Sequence, residues 1–287
     1  MTSRDEALAE FDRIERAAWQ RLARGYDSAF KGLVAQMLDP LLDAAAIGRQ
    51  VRLLDLCCGP GYVAARALAR GALPVGVDRS RRMLAIARRR HPDIAFRAGD
   101  AERLDFADCS FDAVVMNLGL HHIGHPERAL AEVARLLRPD GRFVFTVWAT
   151  PSESVAHRLI FDAVKAHGRL DVGPQGPSMF RFSDAGECRR VCRQAGLDAV
   201  SSHLLPLVWD LPAPDGLLAA AQAGGVRLAM LLDAQTPPAL EAIARAVRAA
   251  SEPYARAGRL RLPMAVVLTS ATRRGDGVAM PRASSAR

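Results

Sequence analysis

Lysine and aromatic residues are scarce in this chain. Lys31 and Lys165 are the only lysines among its 39 lysine and arginine residues, and aromatic residues make up 6% of the sequence. The net charge of +8 therefore comes almost wholly from arginine. A basic balance is compatible with nucleic-acid binding, but many such sites also use aromatic side chains that stack on bases. With few aromatics and no recognisable nucleic-acid-binding module, we expect no nucleic-acid partner.

Cysteine pairs at metal-ligand spacing are missing, as are long apolar runs. There is no C-x-x-C and no histidine-rich segment, so we expect no bound metal. No apolar run reaches the ~18 residues that a membrane span needs, and the charged N-terminus is unlike a signal peptide. We therefore expect a cytoplasmic protein without a membrane span. A reducing environment would keep as thiols Cys57, Cys58, Cys109, Cys188 and Cys192.

What the chain does contain is a short apolar strand that ends in a carboxylate and a glycine loop. The segment reads Asp55-Leu56-Cys57-Cys58-Gly59-Pro60-Gly61, and a helix follows it. Glycines at 59 and 61 allow a sharp turn and bring backbone amides close to a ligand. Asp55 favours a cationic group and repels a phosphate. The best match among nucleotide-like cofactors is therefore S-adenosylmethionine (SAM), which carries an ammonium group and a sulfonium.

The same loop also fits a dinucleotide site, because residues 59–64 match the degenerate fingerprint G-x-G-x-x-G/A. Asp78 ends the next strand, where a carboxylate can accept two hydrogen bonds from a ribose diol, and Arg79 beside it could attract a 2′-phosphate. An NADP site therefore stays open as an alternative, as does a glycine turn of any α/β protein. Asp55 weighs against a dinucleotide, since it lies where a pyrophosphate would approach the helix N-terminus.

Five motifs follow one another between residues 51 and 150, about a third of the chain. They lie at 53–61, 76–84, 99–102, 110–115 and 136–142. Together they resemble the class I SAM-dependent methyltransferases of the small-molecule type, which include ubiquinone and menaquinone biosynthesis methyltransferases. Cys57-Cys58 departs from the usual Gly-Cys or Ala-Cys of that family, and Pro60 replaces a common Thr or Ser. Only the amide of Pro60 itself is lost, so binding should survive.

The alternation of apolar segments and the resemblance imply an α/β fold. We predict a Rossmann-like, doubly wound sheet, mostly parallel with an antiparallel last strand. Ligands of such sheets bind beyond the carboxyl ends of the strands, so the motif residues should converge there. In the first half of the chain, the predicted strands are 51–56, 73–78, 94–97, 112–117 and 142–148, and the predicted helices are 61–70, 80–90 and 126–137.

The remaining segments are assigned by pattern and by the resemblance. Helical spacing predicts two helices, at 5–24 and 29–46, in an N-terminal segment of residues 1–50. Residues 51–150 form the SAM-binding core, and 151–272 complete it, with substrate-cap insertions at about 151–182 and 213–258. The latter part holds helices at 152–168, from Ser183 to Ala195 and within 214–257, and strands at 199–211 and 263–271. Residues 273–287 should be a disordered tail.

Cofactor residues follow partly from chemistry and partly from the resemblance. Asp78 suits a ribose diol, although an acid there can also cap a helix. The resemblance implies that Asp100 and Ala101 meet the adenine, with Met83 on its face, and that Tyr26 closes over the cofactor. The whole predicted set is Tyr26, Asp55, Cys57, Gly59, Gly61, Asp78, Arg79, Met83, Asp100, Ala101, Glu102, Asn117 and Leu118.

Catalytic and acceptor residues are predicted from position and residue type. His121 and His122 follow the fourth strand and could take a proton near neutral pH, although either could instead shape the loop. Phe180 and Trp209 are candidate walls of an apolar acceptor pocket. Arg181 and Arg227 would suit a carboxylate or enolate if they point inward.

These assignments predict a methyltransferase that acts on a small organic acceptor. Oxygen or an activated carbon should receive the methyl group, as in quinone-type or secondary-metabolite biosynthesis, with S-adenosylhomocysteine as the product. We expect a monomer or a homodimer. Two alternatives stay open: an NADP-dependent oxidoreductase, and a SAM-binding family member that catalyses another reaction.

Overall fold

The computed structural model describes residues 3–173 and 176–275. Its first half alternates strands and helices after one long helix: α1 Ser3–Ala44, β1 Arg52–Leu56, α2 Tyr62–Ala69, β2 Leu73–Asp78, α3 Arg81–Arg90, β3 Ala95–Ala98, β4 Phe111–Asn117, α4 Pro126–Leu136 and β5 Leu137–Trp148. The second half is more irregular: α5 Val155–His167, α6 Ala185–Gln194, β6 Leu197–Pro212, α7 Gly216–Gly224, α8 Val226–Asp233, α9 Pro237–Ser251, β7 Ala255–Arg256 and β8 Arg259–Arg273.

One central sheet organises the chain, with strands in the order β3-β2-β1-β4-β5-β8-β6. Neighbours from β3 to β5 pair in parallel, and β8 lies antiparallel between β5 and β6. The predicted doubly wound α/β sheet with an antiparallel last strand is confirmed. Strand order reverses between β1 and β4, so a crevice opens at their carboxyl ends, where such folds bind ligands.

The parallel strands are apolar because helices cover both faces of the sheet. In β4, Val114, Val115 and Met116 are fully buried. Leu53 and Leu54 of β1 are equally buried. The successive side chains of a strand point to opposite faces, so this pattern requires a packed layer on each side.

The N-terminal segment differs from the prediction, because α1 is one helix of 42 residues instead of two helices. Gly25 lies between the predicted helices, but one glycine costs a helix only about 1 kcal/mol. Here the lack of a side chain is used for packing, since a Cβ on Gly25 would lie 1.9 Å from the carbonyl oxygen of Ala223 in α7. Tertiary contact with α7 therefore outweighs the weak local break.

The start of α6 also differs by one residue from the prediction. Asp184, and not Ser183, caps this helix: its Oδ1 accepts a hydrogen bond of 2.6 Å from the amide of Glu187. Ser183 instead donates to the carbonyl of Phe180 at 2.7 Å. Both residue types are good N-caps, so the sequence alone could not separate them.

The last strands are longer than predicted because β6 and β8 pair along their whole length, from Leu197 opposite Arg273 to Pro212 opposite Arg259. Helices α7, α8 and α9 fall between them, within the predicted 213–258 insertion. Residues 276–287 of the predicted tail, and 174–175 of the earlier loop, lie outside the described residues. Within the described part of the chain, no helix is both long and apolar enough to cross a membrane.

Candidate functional site

A cleft lies at the carboxyl ends of β1, β2 and β4, where the fold predicts a ligand site. Its empty space, which includes the part open to solvent, is about 860 Å³. Eleven of the predicted cofactor residues line it: Tyr26, Asp55, Cys57, Gly59, Asp78, Arg79, Met83, Asp100, Ala101, Asn117 and Leu118. The topology thus brings together residues that are far apart in the sequence.

The loop after β1 needs its glycines for two different reasons. Gly59 has φ +51°, and no atom lies within 4 Å of the position that its Cβ would take, so that side of the loop is open. Gly61 has φ +82°, and a Cβ there would lie 2.6 Å from the ring of Phe96. Gly61 is therefore a packing requirement behind the cleft, whereas Gly59 keeps the loop backbone accessible to a ligand.

Asp55 is the most constrained acid of the site. It is 1% exposed, and its Oδ2 accepts a hydrogen bond of 2.9 Å from the amide of Ala64 in the first turn of α2. Its Oδ1 is buried and has no hydrogen-bond partner among the described residues. Burial raises the pKa of Asp55 to about 8, and the nearby charge of Asp78 adds to that shift. A cationic ligand would favour the ionised form of Asp55 and so lower this pKa.

Asp78 ends β2 and holds the glycine loop. Its Oδ2 accepts from the amide of Gly59 at 2.8 Å, and its Oδ1 accepts from the amide of Ser80 at 2.7 Å. Each carboxylate oxygen has a second lone pair, so the group can still accept hydrogen bonds from a diol. Burial raises the pKa of Asp78, which the two amide hydrogen bonds oppose.

The far wall of the cleft comes from β3, α3 and the end of β4. Met83 is 2% exposed, and Ala101 is 8% exposed beside Asp100. Leu118 has φ +56°, and its amide is 3.1 Å from the carbonyl oxygen of Thr146, while Asn117 accepts a hydrogen bond of 2.6 Å from the Thr146 hydroxyl. These bonds fix the turn that follows β4.

Helix α1 closes the cleft, through two residues that are one heptad apart. Trp19 and Tyr26 both line it, with their rings in an edge-to-face contact at 5.4 Å. Tyr26 was predicted, whereas Trp19 was missed. Spacing of seven residues places both side chains on one helix face, which is a signal that the sequence offered.

A second chamber adjoins the cleft and shares with it Trp19, Tyr26, Leu118 and His122. Its empty space is about 430 Å³. The remaining walls come from α1, the turn after β4, the end of β5, α5, the loop before α6, β6 and the helices after it: Phe30, His121, Trp148, His157, Met179, Trp209, Gly224, Gly225, Val226, Arg227 and Leu228.

The two predicted catalytic histidines have different surroundings. His121 is 1% exposed, lines only the second chamber, and neither ring nitrogen has a partner among the described residues. His122 lines both spaces, and its Nδ1 lies 2.9 Å from Oε2 of Glu15 in α1. Burial lowers the pKa of both histidines well below the usual value, so each imidazole is neutral near pH 7. Sequence reasoning missed Glu15.

Besides Gly61, three predicted site residues lie outside both the cleft and the second chamber. Glu102 is outside the cleft, where it accepts a hydrogen bond of 3.0 Å from the amide of His125. Arg181 does not line the chamber, since its guanidinium forms ion pairs with Glu127 and Glu187. Phe180 lies behind the chamber wall, with its ring edge-to-face on His157 at 5.7 Å.

Trp209 and Arg227 do line the chamber, but each is also tied to the protein. Trp209 is 2% exposed, and its indole N–H donates to the carbonyl of Ala29 at 3.1 Å. Arg227 donates to the carbonyls of His121 and Pro177, at 3.2 and 2.9 Å. A role for Arg227 in binding an acceptor would therefore compete with these contacts.

Sequence comparison places this cleft in a known family. The family model described as "Methyltransferase domain" matches residues 54–145, which hold the glycine loop, Asp78, Asp100 and the end of β4. About a third of the chain therefore matches a methyltransferase domain. The assignment made from the motifs is confirmed. The match does not extend to the residues outside 54–145.

Curated relatives of the methyltransferase domain include the demethylmenaquinone methyltransferase of Beutenbergia cavernae. It is 44% identical over 110 residues, which are 38% of this chain and 46% of the relative. The chain thus spans about half the length of the curated relatives that it matches.

Among the described residues, no group of three or more His, Cys, Asp or Glu side chains could hold a metal ion.

Solved structures share the fold at low sequence identity. Phosphoethanolamine N-methyltransferase 2 of Haemonchus contortus, solved with S-adenosylhomocysteine, has a TM-score of 0.57 and 16% identity over 91% of this chain and 60% of its own. The [4+2]-cyclase SpnF has a TM-score of 0.52 and 22% identity over 84% of this chain and 81% of its own. At these identities the likeness establishes the methyltransferase fold only.

The methyltransferase domain fits SAM better than a dinucleotide. Asp55 accepts the amide of Ala64 in the first turn of α2, which a pyrophosphate would otherwise use. Arg79 could have held a 2′-phosphate, but its guanidinium pairs with Asp12 and donates from Nη2 to the carbonyl oxygen of His122 at 3.3 Å. The unpartnered Oδ1 of Asp55 instead offers an acceptor to an ammonium group.

Proposed function

We propose that this chain binds SAM in the cleft and transfers its methyl group to a small organic acceptor. One observation carries the proposal: the buried Oδ1 of Asp55, unpartnered among the described residues, lies in the cleft of a methyltransferase domain. A buried carboxylate oxygen without a hydrogen-bond partner is costly. An ammonium group would offset that cost, and it would favour the ionised form of Asp55 over the neutral one.

In this proposal each wall of the cleft binds one part of the cofactor. Asp55 receives the ammonium group, and Asp78 accepts the ribose hydroxyls with the lone pairs that the loop amides leave free. Met83 packs on the adenine, whose amine reaches Asp100 while the amide of Ala101 meets the ring. Tyr26 and Trp19 on α1 would cover the sulfonium, for which an aromatic face has a cation–π attraction.

SAM supplies an electrophilic methyl group with a good leaving group, so the protein mainly has to align the reactants. Leu118 lines both the cleft and the second chamber, so the acceptor would bind on the chamber side of this turn, next to the cofactor. The apolar walls exclude water, which would otherwise compete. We propose that His122, which borders both spaces, takes a proton from the acceptor.

We propose oxygen or an activated carbon as the methylated atom, on a quinone-type or secondary-metabolite acceptor. The curated relatives named as demethylmenaquinone methyltransferases support that class over the matched half of their length. The described structure leaves all five cysteines as free thiols, which agrees with a reducing cytoplasmic location. We propose that the protein acts as a monomer or a homodimer.

Calorimetric titration with S-adenosylhomocysteine tests the cofactor, with NADPH as the rival ligand. We expect micromolar binding of the first and none of the second. Asp78→Ala should weaken the binding of S-adenosylhomocysteine by tenfold or more, because about 1.4 kcal/mol is one tenfold step and two ribose hydrogen bonds are lost. Binding of NADPH but not of S-adenosylhomocysteine would overturn the proposal.

The alternative to methyl transfer is another SAM-dependent reaction. SAM with a labelled methyl group separates the two. Label recovered in an extractable small molecule, with an equal amount of S-adenosylhomocysteine, supports methyl transfer. Conversion of an acceptor with all of the label retained in SAM would favour the other class.

A further inference from the structure

A groove between α1 and α3, outside the cofactor cleft, is lined by arginine. Its volume is about 320 Å³, at the lower end of the range of small-molecule sites. Its walls include four arginines and two apolar residues: Arg21, Arg24, Arg82, Arg89, Ala85 and Ile86. No aspartate or glutamate of the described residues lines it. The groove is therefore a concave surface of one charge sign.

Two of the groove arginines are not neutralised by the protein. Among the described residues, neither Arg24 on α1 nor Arg89 on α3 has an ion-pair partner. By contrast, Arg90, the neighbour of Arg89 in the sequence, pairs with Asp27 of α1. Like charges across a groove repel each other, and an anion bound between them would turn that repulsion into attraction. The free charges therefore favour an anionic ligand.

The other two groove arginines are held in place but keep donors for a ligand. Nη1 of Arg82 donates to the carbonyl of Gln20 at 3.3 Å, and its amide donates to the side-chain oxygen of Gln20 at 3.2 Å. Arg21 forms an exposed ion pair of 3.2 Å with Asp233. A guanidinium has five N–H donors, so these contacts leave several of them unused.

The spacing of the arginines favours a chain of phosphates over a single one. Arg82 and Arg89 are seven residues apart on α3, which is about 10 Å along the helix axis, and Arg24 faces the groove from α1. The planar guanidinium fork matches phosphate oxygens. A di- or triphosphate can contact more of these groups at once than one phosphate can. In the cofactor cleft, Asp55 and Asp78 would repel the same anion.

One apolar cluster separates the groove from the cofactor cleft. Met83 lines the cleft, Ile86 lines the groove, and the two belong to the same buried cluster together with Ala23 of α1. Trp19, which lines the cleft, packs against this cluster. An anion that bridges α1 and α3 would hold α1 against the cluster and so keep the cleft closed.

We propose that the groove binds a free di- or triphosphate group, and that this binding raises the affinity of the cleft for the cofactor. The anion site stands on the groove alone, whereas the coupling rests on the proposed function. Coupling between two binding sites is reciprocal. The cofactor product S-adenosylhomocysteine must therefore raise the affinity of the groove by the same factor.

Calorimetric titration of the full-length protein with sodium tripolyphosphate tests the site. The ionic strength is kept constant, because salt screens unspecific attraction to a basic surface. The groove variant carries Arg24→Gln together with Arg89→Gln. The control variant carries Arg13→Gln together with Arg81→Gln, which also removes one exposed positive charge from each helix but none from the groove.

We expect one saturable site for tripolyphosphate in the wild type. The groove variant should bind it about tenfold more weakly or worse, and the control variant should lose less than about threefold, because exposed charges outside a site contribute little. Orthophosphate should bind more weakly than tripolyphosphate. Saturating tripolyphosphate should raise the affinity of the wild type for S-adenosylhomocysteine by about fivefold or more, and it should have no such effect in the groove variant.

Three results would overturn the anion site. They are no saturable binding of tripolyphosphate, an equal loss of binding in the groove and control variants, and binding to phosphatidylglycerol vesicles through Arg24 and Arg89 without binding of free tripolyphosphate. The last result would assign the groove to a membrane surface instead.

The coupling has its own outcomes. Tripolyphosphate binding that leaves the affinity for S-adenosylhomocysteine unchanged would overturn the coupling and keep the site. Failure of S-adenosylhomocysteine to bind at all would remove the proposed function and the coupling with it, while the titration with tripolyphosphate would still decide the anion site.

Discussion

Gly25 on α1 and Ala223 on α7 are in direct backbone contact. A Cβ on Gly25 would lie 1.9 Å from the carbonyl oxygen of Ala223 and 2.7 Å from its carbonyl carbon. Backbone atoms cannot move aside as the end of a flexible side chain can. The helix that carries Trp19, Tyr26 and Glu15 is therefore held against the cap at a point that tolerates no side chain.

Gly25→Ala should separate α1 from α7. We expect a loss of about 1–3 kcal/mol in the free energy of unfolding, as for other overpacked sites, and weaker binding of S-adenosylhomocysteine because α1 closes the cleft. Chemical denaturation and calorimetry measure the two effects.

Gly32→Ala is the control for that substitution, because Gly32 lies on the same helix with nothing within 4 Å of its Cβ position. A gain of up to about 1 kcal/mol is expected there, since alanine is the better helix former. Equal effects of the two substitutions would show that the contact with α7 does not matter.

Asp55→Asn should remove the pH dependence of cofactor binding. The pKa of Asp55 is raised to about 8, so the free protein holds this group protonated at pH 6, and binding an ammonium group must release the proton. The affinity for S-adenosylhomocysteine should therefore rise as pH increases from 6 to 8, by up to about tenfold per unit. Asp55→Asn should bind more weakly at pH 8, with a flat profile over that range.

Calorimetry in two buffers of different ionisation enthalpy measures the released proton directly. Asp105→Asn, at an exposed position between β3 and β4, is the control and should keep the wild-type slope. An unchanged slope in Asp55→Asn would mean that another group takes part in the linkage.

Gly59→Ala and Gly61→Ala should separate binding from folding. At Gly59 the Cβ meets no atom within 4 Å, so the variant should fold with a modest loss of about 1–2 kcal/mol for the left-handed conformation. Its methyl group projects toward the ligand, and affinity for S-adenosylhomocysteine should fall. At Gly61 the Cβ would lie 2.6 Å from the Phe96 ring, so stability should fall further. A larger stability loss in Gly59→Ala, or unchanged affinity in it, would contradict this interpretation.

The sequence predicted the cleft well because its residues follow buried parallel strands. Asp55 and Asp78 lie at the carboxyl ends of β1 and β2, and Leu118 directly follows β4. The carboxyl ends of parallel strands meet at one edge of a sheet. The strand pattern by itself therefore predicts that these three residues lie close together.

The acceptor side could not be predicted in the same way. Phe11, Glu15, Ala18 and Leu22 share one face of α1, and helical spacing alone does not say which element that face covers. An acid on an otherwise apolar face was the available signal for Glu15. Arg181 failed as a prediction for a related reason, since its two carboxylate partners come from α4 and α6.

His157→Phe should make the protein less sensitive to acid. His157 is 2% exposed on α5, its ring meets Trp148 edge-to-face at 5.2 Å, and burial lowers its pKa to about 4. The unfolded chain keeps a histidine pKa of about 6.5. Between pH 4 and about pH 6.5 the unfolded chain therefore binds more protons than the folded protein. Stability should thus fall as pH drops from 7 to 4, by up to about 3 kcal/mol from this residue. Phenylalanine keeps the ring contact and removes that loss of stability, which urea unfolding at pH 7 and pH 4.5 would measure.

His203→Phe, at an exposed position of β6, is the control and should leave the acid sensitivity as it is in the wild type. If both variants lose the same stability on acidification, the burial of His157 does not govern the response.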